Sequence, residues 1–161
     1  MTDNYGPPPE HGPIYERLGV FVGKWHATGK SYGGGDQDEK NPRASTQAWV
    51  SDEITNWHPG KFFLIQHEDA NVGTSSLITH AIIGYDPASG EYFAHAVENH
   101  GYYRKYAVSV AGRIWTFASA TERARIEFSA DGSNQQVLWE WRPRGDKWLP
   151  LCERTNMRTG D

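Results

Sequence analysis

Asp131-Gly132 is the pair of residues that most constrains what this chain can become. It stands between Arg125-Ile126-Glu127-Phe128 and Val137-Leu138-Trp139-Glu140-Trp141, two runs in which apolar and polar side chains alternate. Asp-Gly in that setting is the strongest short-range signal for a β-hairpin, since the tight turn demands backbone angles that these residues tolerate best. Pro59-Gly60, Asp86 to Glu91, His100-Gly101, Ala111-Gly112 and Arg144-Gly145 punctuate the chain in the same way. Read as even-length turns, they carry one register through the molecule, because successive side chains of a strand point to opposite faces.

That register pairs Ile126 with Val137, Trp141 with Trp148, Val108 with Trp115, Val97 with Arg104, Ile82 with His95 and Asp52 with His67. The large apolar residues then gather on one face, among them Val50, Ile54, Ile65, Ile82, Phe93, Val97, Trp115, Phe117 and Trp139. Arg123, Arg125, Glu127 and Glu140 fall on the other face, which reads as solvated. The expected fold is all-β, an up-and-down antiparallel β-barrel of about ten strands with one short N-terminal helix. The helix candidate is Pro13 to Val22, with Ile14, Leu18 and Phe21 on one side and Pro in the first turn. Residues 1–12 are expected to form a flexible tail and 13–158 a single barrel domain. The turn between Asn71 and Ser75 is the weakest joint, since a three-residue loop there inverts the parity of all that precedes it.

Composition removes several function classes. With 161 residues and a net charge of −4, the chain offers no basic patch for nucleic acid or an anionic membrane surface. It has no apolar run long enough to span a membrane, and its first residues lack the apolar core of a signal peptide. A lone cysteine, Cys152, forms no internal disulfide and suits a reducing compartment, so a cytoplasmic location is expected. Seven Trp in a chain of low mean hydropathy fit a small barrel that is aromatic inside and polar outside.

Gly23-Lys24-Trp25, placed after the helix candidate and opening the first strand, resembles the Gly-x-Trp signature of lipocalins and related calycins. Leu18 to Trp25, Ile83-Gly-Tyr-Asp-Pro87 and Trp115-Thr-Phe117 resemble a bacterial lipocalin-like (calycin) family of unknown function, over about Leu18 to Thr155. The resemblance implies a calycin barrel with an Arg near the end of the last strand packed across the Trp. Arg154 matches that position, and Arg158 is its substitute. Nitrobindin, a more distant haem-binding relative, begins Gly-x-Trp-x-Gly-x-Gly. This chain reads Gly-Lys-Trp-His-Ala-Thr-Gly and has no His in its last strand to ligate haem.

The same register sets a polar row on the inner face: Asp52, His67, His80, His95 and Tyr106, with Arg104 and Glu122 near the other end. Opposed inward side chains on paired strands come within reach of one another. Three readings stand. The row forms a hydrogen-bonded network that tunes a ligand cavity; or it performs acid–base catalysis, with His80 or His95 as base, Tyr106 as acid and Asp52 as orienter; or His67, His80 and His95 hold a metal. No short-spaced metal motif supports the last, and no metal ligand is assigned; the cofactor is unknown. The function expected first is binding of a small apolar or aromatic molecule with a polar handle. Phe93, Trp115, Phe117 and Trp139 form its walls, and His67, His80, His95, Arg104 and Tyr106 read the handle. The alternative is an enzyme of isomerase, cyclase, dehydratase or hydrolase type in the same cavity, and a fully packed scaffold is the third class.

Strands 77–85 and 91–98 are apolar on both faces, whereas a half-wet strand should alternate. In this register Leu77, Ala81, Ile83, Tyr92 and Ala94 point outward. A homodimer contact through the outer face of these strands is expected; cover by the N-terminal segment is the competing explanation.

Overall fold

The computed structural model describes residues 6–161; the first five residues of the expected tail lie outside the described residues. Ten antiparallel strands close into one barrel in which every strand pairs with its sequence neighbours and the last returns to the first. They are β1 (Gly23–Ser31), β2 (Gln47–Trp57), β3 (Phe63–Val72), β4 (Ser75–Asp86), β5 (Glu91–Glu98), β6 (Tyr103–Ala111), β7 (Ile114–Ala118), β8 (Glu122–Phe128), β9 (Asn134–Trp141) and β10 (Leu149–Gly160). Closure leaves no strand edge unpaired. The N-terminal helix is a single α-helical turn, Pro13–Glu16, tightened into a 3₁₀ segment over Arg17–Phe21. Among the described residues no helix is long and apolar enough to cross a membrane.

The expected inner face is correct from β6 onward and inverted over β2 to β5. Ile126 pairs with Val137, and Ile82 with His95, as expected. Val108 meets Phe117 and Trp139 meets Cys152, slips of two residues that leave the faces unchanged. The inversion comes from one turn. His100-Gly101 is not an even turn: Glu98 closes on Tyr102 across three residues, with Gly101 at φ 95°. A type I turn followed by a glycine in the left-handed region is the usual three-residue hairpin. The Glu98 carboxylate holds it by accepting from the backbone N–H of His100 and of Tyr102. One extra residue moves every preceding side chain to the opposite face. Ala94 thus stands opposite Tyr106, and His95 opposite Lys105. The joint that looked weakest, Val72 to Ser75, is a two-residue turn.

As a result Ala81, Ile83 and Ala94, expected outside, are buried inside, while Val50, Ile54, Ile65, Ile82 and Val97, expected inside, are exposed. Among the described residues the N-terminal segment does not lie over that outer face. It packs on the end of the barrel, where Tyr92 donates to the Ile14 carbonyl at 2.5 Å and Tyr15 meets Phe62 and Tyr85 edge-on.

The barrel has a base closed by aromatic packing and a far end opposite it. At the base Trp25 is 1 % exposed, donates from Nε1 to the Phe21 carbonyl at 3.0 Å and packs against Phe128. Arg158, not Arg154, stacks on it, with its guanidinium carbon 4.3 Å from the indole centroid. The same guanidinium donates to the carbonyls of Val20, Val22 and Gly132. It thereby ties the helical segment, the β8–β9 turn and β10 to one tryptophan. Gly23 explains the first letter of the motif. Its φ is 135°, and a Cβ there would stand 2.9 Å from the Gly160 carbonyl oxygen and overlap Arg158.

Replacing Arg158 by Met keeps much of the apolar stem and deletes the cation and its donors. Hydrogen bonds from a charged group and a semi-buried cation–π contact together predict a loss of about 3 kcal/mol in urea unfolding. Arg158→Lys should recover little of it, because an ammonium cannot reach three carbonyls in one plane. A loss under about 0.5 kcal/mol, the size of an ordinary surface substitution, would contradict this account of the base.

Candidate functional site

Between the aromatic base and the far end, the inner face of β2, β3, β9 and β10 carries a group of polar side chains. β2 contributes Ser51, Glu53 and Thr55, all buried. Glu68 on β3 stands directly opposite Glu53, and Gln66 opposite Thr55. β10 contributes Arg154 and Asn156, and β9 contributes Gln135 opposite Asn156.

Arg154 reaches these groups because β1 is small where it must cross. The inward residues of β1 there are Ala27 and Gly29, and Gly29 lies directly opposite Arg154. A Cβ on Gly29 would stand 2.6 Å from the Arg154 Cα. The Arg154 side chain, 9 % exposed, passes over this low floor to stack on Trp49 at 4.5 Å and pair with Glu68. Trp49 Nε1 donates to Ser51 Oγ at 3.0 Å, and Ser51 donates to Glu68 Oε2 at 3.1 Å. On the other side Gln66 donates to Thr55 at 3.2 Å, and Thr55 donates to Glu53 Oε1 at 3.1 Å.

Two features of this chamber are unusual. Two carboxyl groups face each other, and one guanidinium pairs with the second of them, Glu68. Burial, and next the charge of Glu68, push the Glu53 carboxyl up to about 7 against the pull of Arg154, Thr55 and Gln66. Among the described residues the chamber also holds buried polar atoms without a hydrogen-bond partner: Arg154 Nε and Nη1, Gln135 Nε2 and Asn156 Oδ1. Arg154 Nη1 is 3.0 Å from Glu68 Oε2, so that pair is a contact of charges rather than an aligned hydrogen bond. Leaving such groups unpaired costs about 1–3 kcal/mol each, more when charged.

The far end carries a second polar group above an aromatic wall. Tyr106 donates to Glu122 Oε2 at 2.6 Å, and Arg104 Nε donates to Oε1 at 3.1 Å. Burial first, then the Glu122 contact, drives the Tyr106 phenol far above its ordinary range, so it stays a neutral donor. Trp139 lies 5.3 Å from the Tyr106 ring and 6.4 Å from Phe117. The polar loop from Tyr32 to Ala44 is pinned at Gln37. That buried amide donates to the Pro150 carbonyl at 2.7 Å and accepts from Trp141 Nε1 at 2.7 Å.

The sequence-expected residues therefore divide. Arg104, Tyr106, Phe117 and Trp139 meet inside the barrel, while Trp115 packs in the base against Phe21 and Tyr92. Asp52, His67, His80, His95 and Phe93 do not point inward. Asp52 pairs with His26 at 2.8 Å on the outside, and His67 Nδ1 lies 2.8 Å from His80 Nε2 on the outer face. Phe93 and His95 line an external groove of about 340 Å³ beside Lys105. Among the described residues no three His, Cys, Asp or Glu side chains are grouped to hold a metal. Glu53, Glu68, Gln135 and Asn156 were missed. The signal for the two glutamates was the glycine after His100, whose three-residue reading turns them inward. Cys152 is buried, and burial raises its thiol to about 11, so it is a packing residue.

Glu53 makes stability depend on pH. Its folded value of about 7 lies above the 4.5 of an ordinary Glu, so the folded state holds the proton more tightly. The resulting stabilisation is complete below about pH 4.5 and is lost as pH rises through 7, by about 3 kcal/mol in all. Glu53→Gln, which mimics the protonated form, should flatten the fall in urea-unfolding free energy between pH 5 and 8. An unchanged slope would show that Glu53 is ionised throughout.

No protein-family model matches the sequence, and no curated protein matches it. Solved structures share its architecture. Rv2717c from M. tuberculosis aligns over 93 % of this chain and 99 % of its own length, with TM-score 0.65 and 12 % identity. The S-type phycobiliprotein lyase CPES from Guillardia theta aligns over 95 % of this chain and 99 % of its own, with TM-score 0.50 and 12 % identity. Likeness at such identity is one of fold: the chain is a lipocalin-like closed barrel.

Proposed function

We propose that the barrel binds a small, largely apolar or aromatic molecule whose polar handle enters the chamber around Arg154. The observation that carries this reading is the set of buried, partnerless atoms on Arg154, Gln135 and Asn156. Three are N–H donors and one is a carbonyl acceptor, so the complementary handle has a carbonyl oxygen beside an O–H or N–H. A carboxylic acid or a carboxamide has that shape. Trp49, Trp139, Tyr106 and Phe117 supply the apolar wall between the chamber and the far end, where Arg104 and Glu122 stand. Likeness in fold to a phycobiliprotein lyase accords with a small-molecule role and assigns no ligand.

Glu53 favours a second reading. A buried carboxyl titrating near 7 beside a second carboxylate is poised to give and take a proton at neutral pH. In that reading Glu53 does the acid–base work first expected of histidines, on the same bound molecule.

Tryptophan fluorescence tests the binding proposal with two probes, 4-phenylbutanamide and 4-phenylbutanoate. The wild-type protein should show saturable change with at least one of them. Gln135→Leu should weaken it about tenfold, the value of one lost hydrogen bond in a buried site. Arg154→Met should weaken it further if that variant folds. Absence of saturable change with both probes, or equal affinity in wild type and Gln135→Leu, would overturn the assignment of the handle.

A further inference from the structure

The outer face of β2 to β5 is apolar where a solvated sheet face should be polar. In one row across the strands stand Ile54, His67, His80, Val97 and Tyr103; in the next stand Ile65, Ile82 and His95. Below them the rings of Phe63 and Phe93 lie 6.3 Å apart, astride Gly84. Ile82 is 46 % exposed, Val97 49 % and Ile54 41 %. At the centre one ring nitrogen of His67 and one of His80 pair with each other, which halves the polar demand in the middle of the patch. Contiguous apolar surface of this kind, ringed by charge, marks an interaction site.

The ring of charge is ordered. Beyond the two ends of the patch, along the strands, lie acids: Asp69 toward the far end, and Asp86 with Glu91 toward the base. On its two flanks, across the strands, lie lysines: Lys24 on β1 beside Ile54, and Lys105 on β6 beside His95. None of these five takes part in an ion pair among the described residues. With strands about 4.8 Å apart and same-face residues about 6.8 Å apart, each lysine lies about 12 Å from the centre and Asp69 about 10 Å from it.

We propose that this face is the interface of a homodimer in which the strands of the two barrels cross at about a right angle. A two-fold axis puts the same patch against itself. If the strands ran alongside one another, that axis would set lysine flank against lysine flank. A quarter turn sets each lysine flank over an acidic end, so one lysine meets Asp69 of the second copy and the other meets the acids beside the base. Crossed packing is one of the two recurrent ways in which sheets meet face to face. Opposite charges then fix the angle, while the isoleucines, Val97 and the phenylalanines supply the buried area.

Sedimentation equilibrium of the full chain tests this. The wild-type protein should be a dimer, and Ile82→Asp a monomer with an unchanged circular dichroism spectrum. Asp69→Lys should raise the dissociation constant about tenfold or more by setting lysine against lysine. Of the two additions to Asp69→Lys, Lys105→Asp and Lys24→Asp, the one at the lysine that meets Asp69 should restore most of the affinity, because the exchange rebuilds that pair, and the other should weaken the dimer further. A monomeric wild type would overturn the proposal, including one that captures a lipid vesicle or another protein on this face. So would a dimer indifferent to Ile82→Asp, or charge reversals whose effects simply add.

Discussion

The stacking of Arg158 on Trp25 is the contact on which the architecture depends. It joins the first strand to the last, which is the seam where a ten-stranded sheet becomes a barrel. A guanidinium suits this place because one planar group covers an indole face while its edge donates to three separate carbonyls. Those carbonyls belong to the end of the helical segment and to the neighbouring β8–β9 turn, so one side chain satisfies backbone groups that closure would leave without partners. Gly23 belongs to the same device, since a side chain there would occupy the space of the guanidinium.

With the base sealed by aromatic packing, the polar inner residues are confined to the middle of the barrel, away from water. Confinement gives Glu53, Glu68 and Arg154 their character. The same three groups on the outer face would be an ordinary exposed cluster contributing little. Inside, one cation faces two carboxylates, and the arrangement relieves itself by keeping a proton on Glu53 near neutral pH. The ion pair with Glu68 leaves two guanidinium nitrogens without aligned acceptors. A core selected only for stability would replace such a group by apolar residues of similar volume, which is often neutral or stabilising. Its presence is the physical ground for reading the chamber as a binding site.

Much of the fold was legible in the sequence. Asp131-Gly132 placed its hairpin in the correct register, and alternation over β6 to β9 put Tyr106, Phe117, Ile126 and Trp139 on the inner face, where they lie. The candidate site was half legible for one reason. Carrying parity along a chain is a sequential inference, so a single odd turn at Asn99 to Gly101 exchanged His67, His80 and His95 for Glu68, Thr79 and Ala94 as inward residues. Alternation could not expose the error, because β4 and β5 are apolar on both sides and either face makes an acceptable core.

The amino-acid sequence by itself determined that this chain is a closed antiparallel barrel, since turn chemistry and two-residue periodicity act between near neighbours. It also determined that one stretch of sheet would be apolar on both faces. Which arginine closes the base, which carboxylates share the interior and which isoleucines meet solvent were decided only by the tertiary structure. Those outcomes depend on the count of residues in one turn and on the distance across a closed barrel. Arg154 and Arg158 have the same chemistry four residues apart. Only closure sets one over Trp25 and carries the other across Gly29 to Trp49 and Glu68.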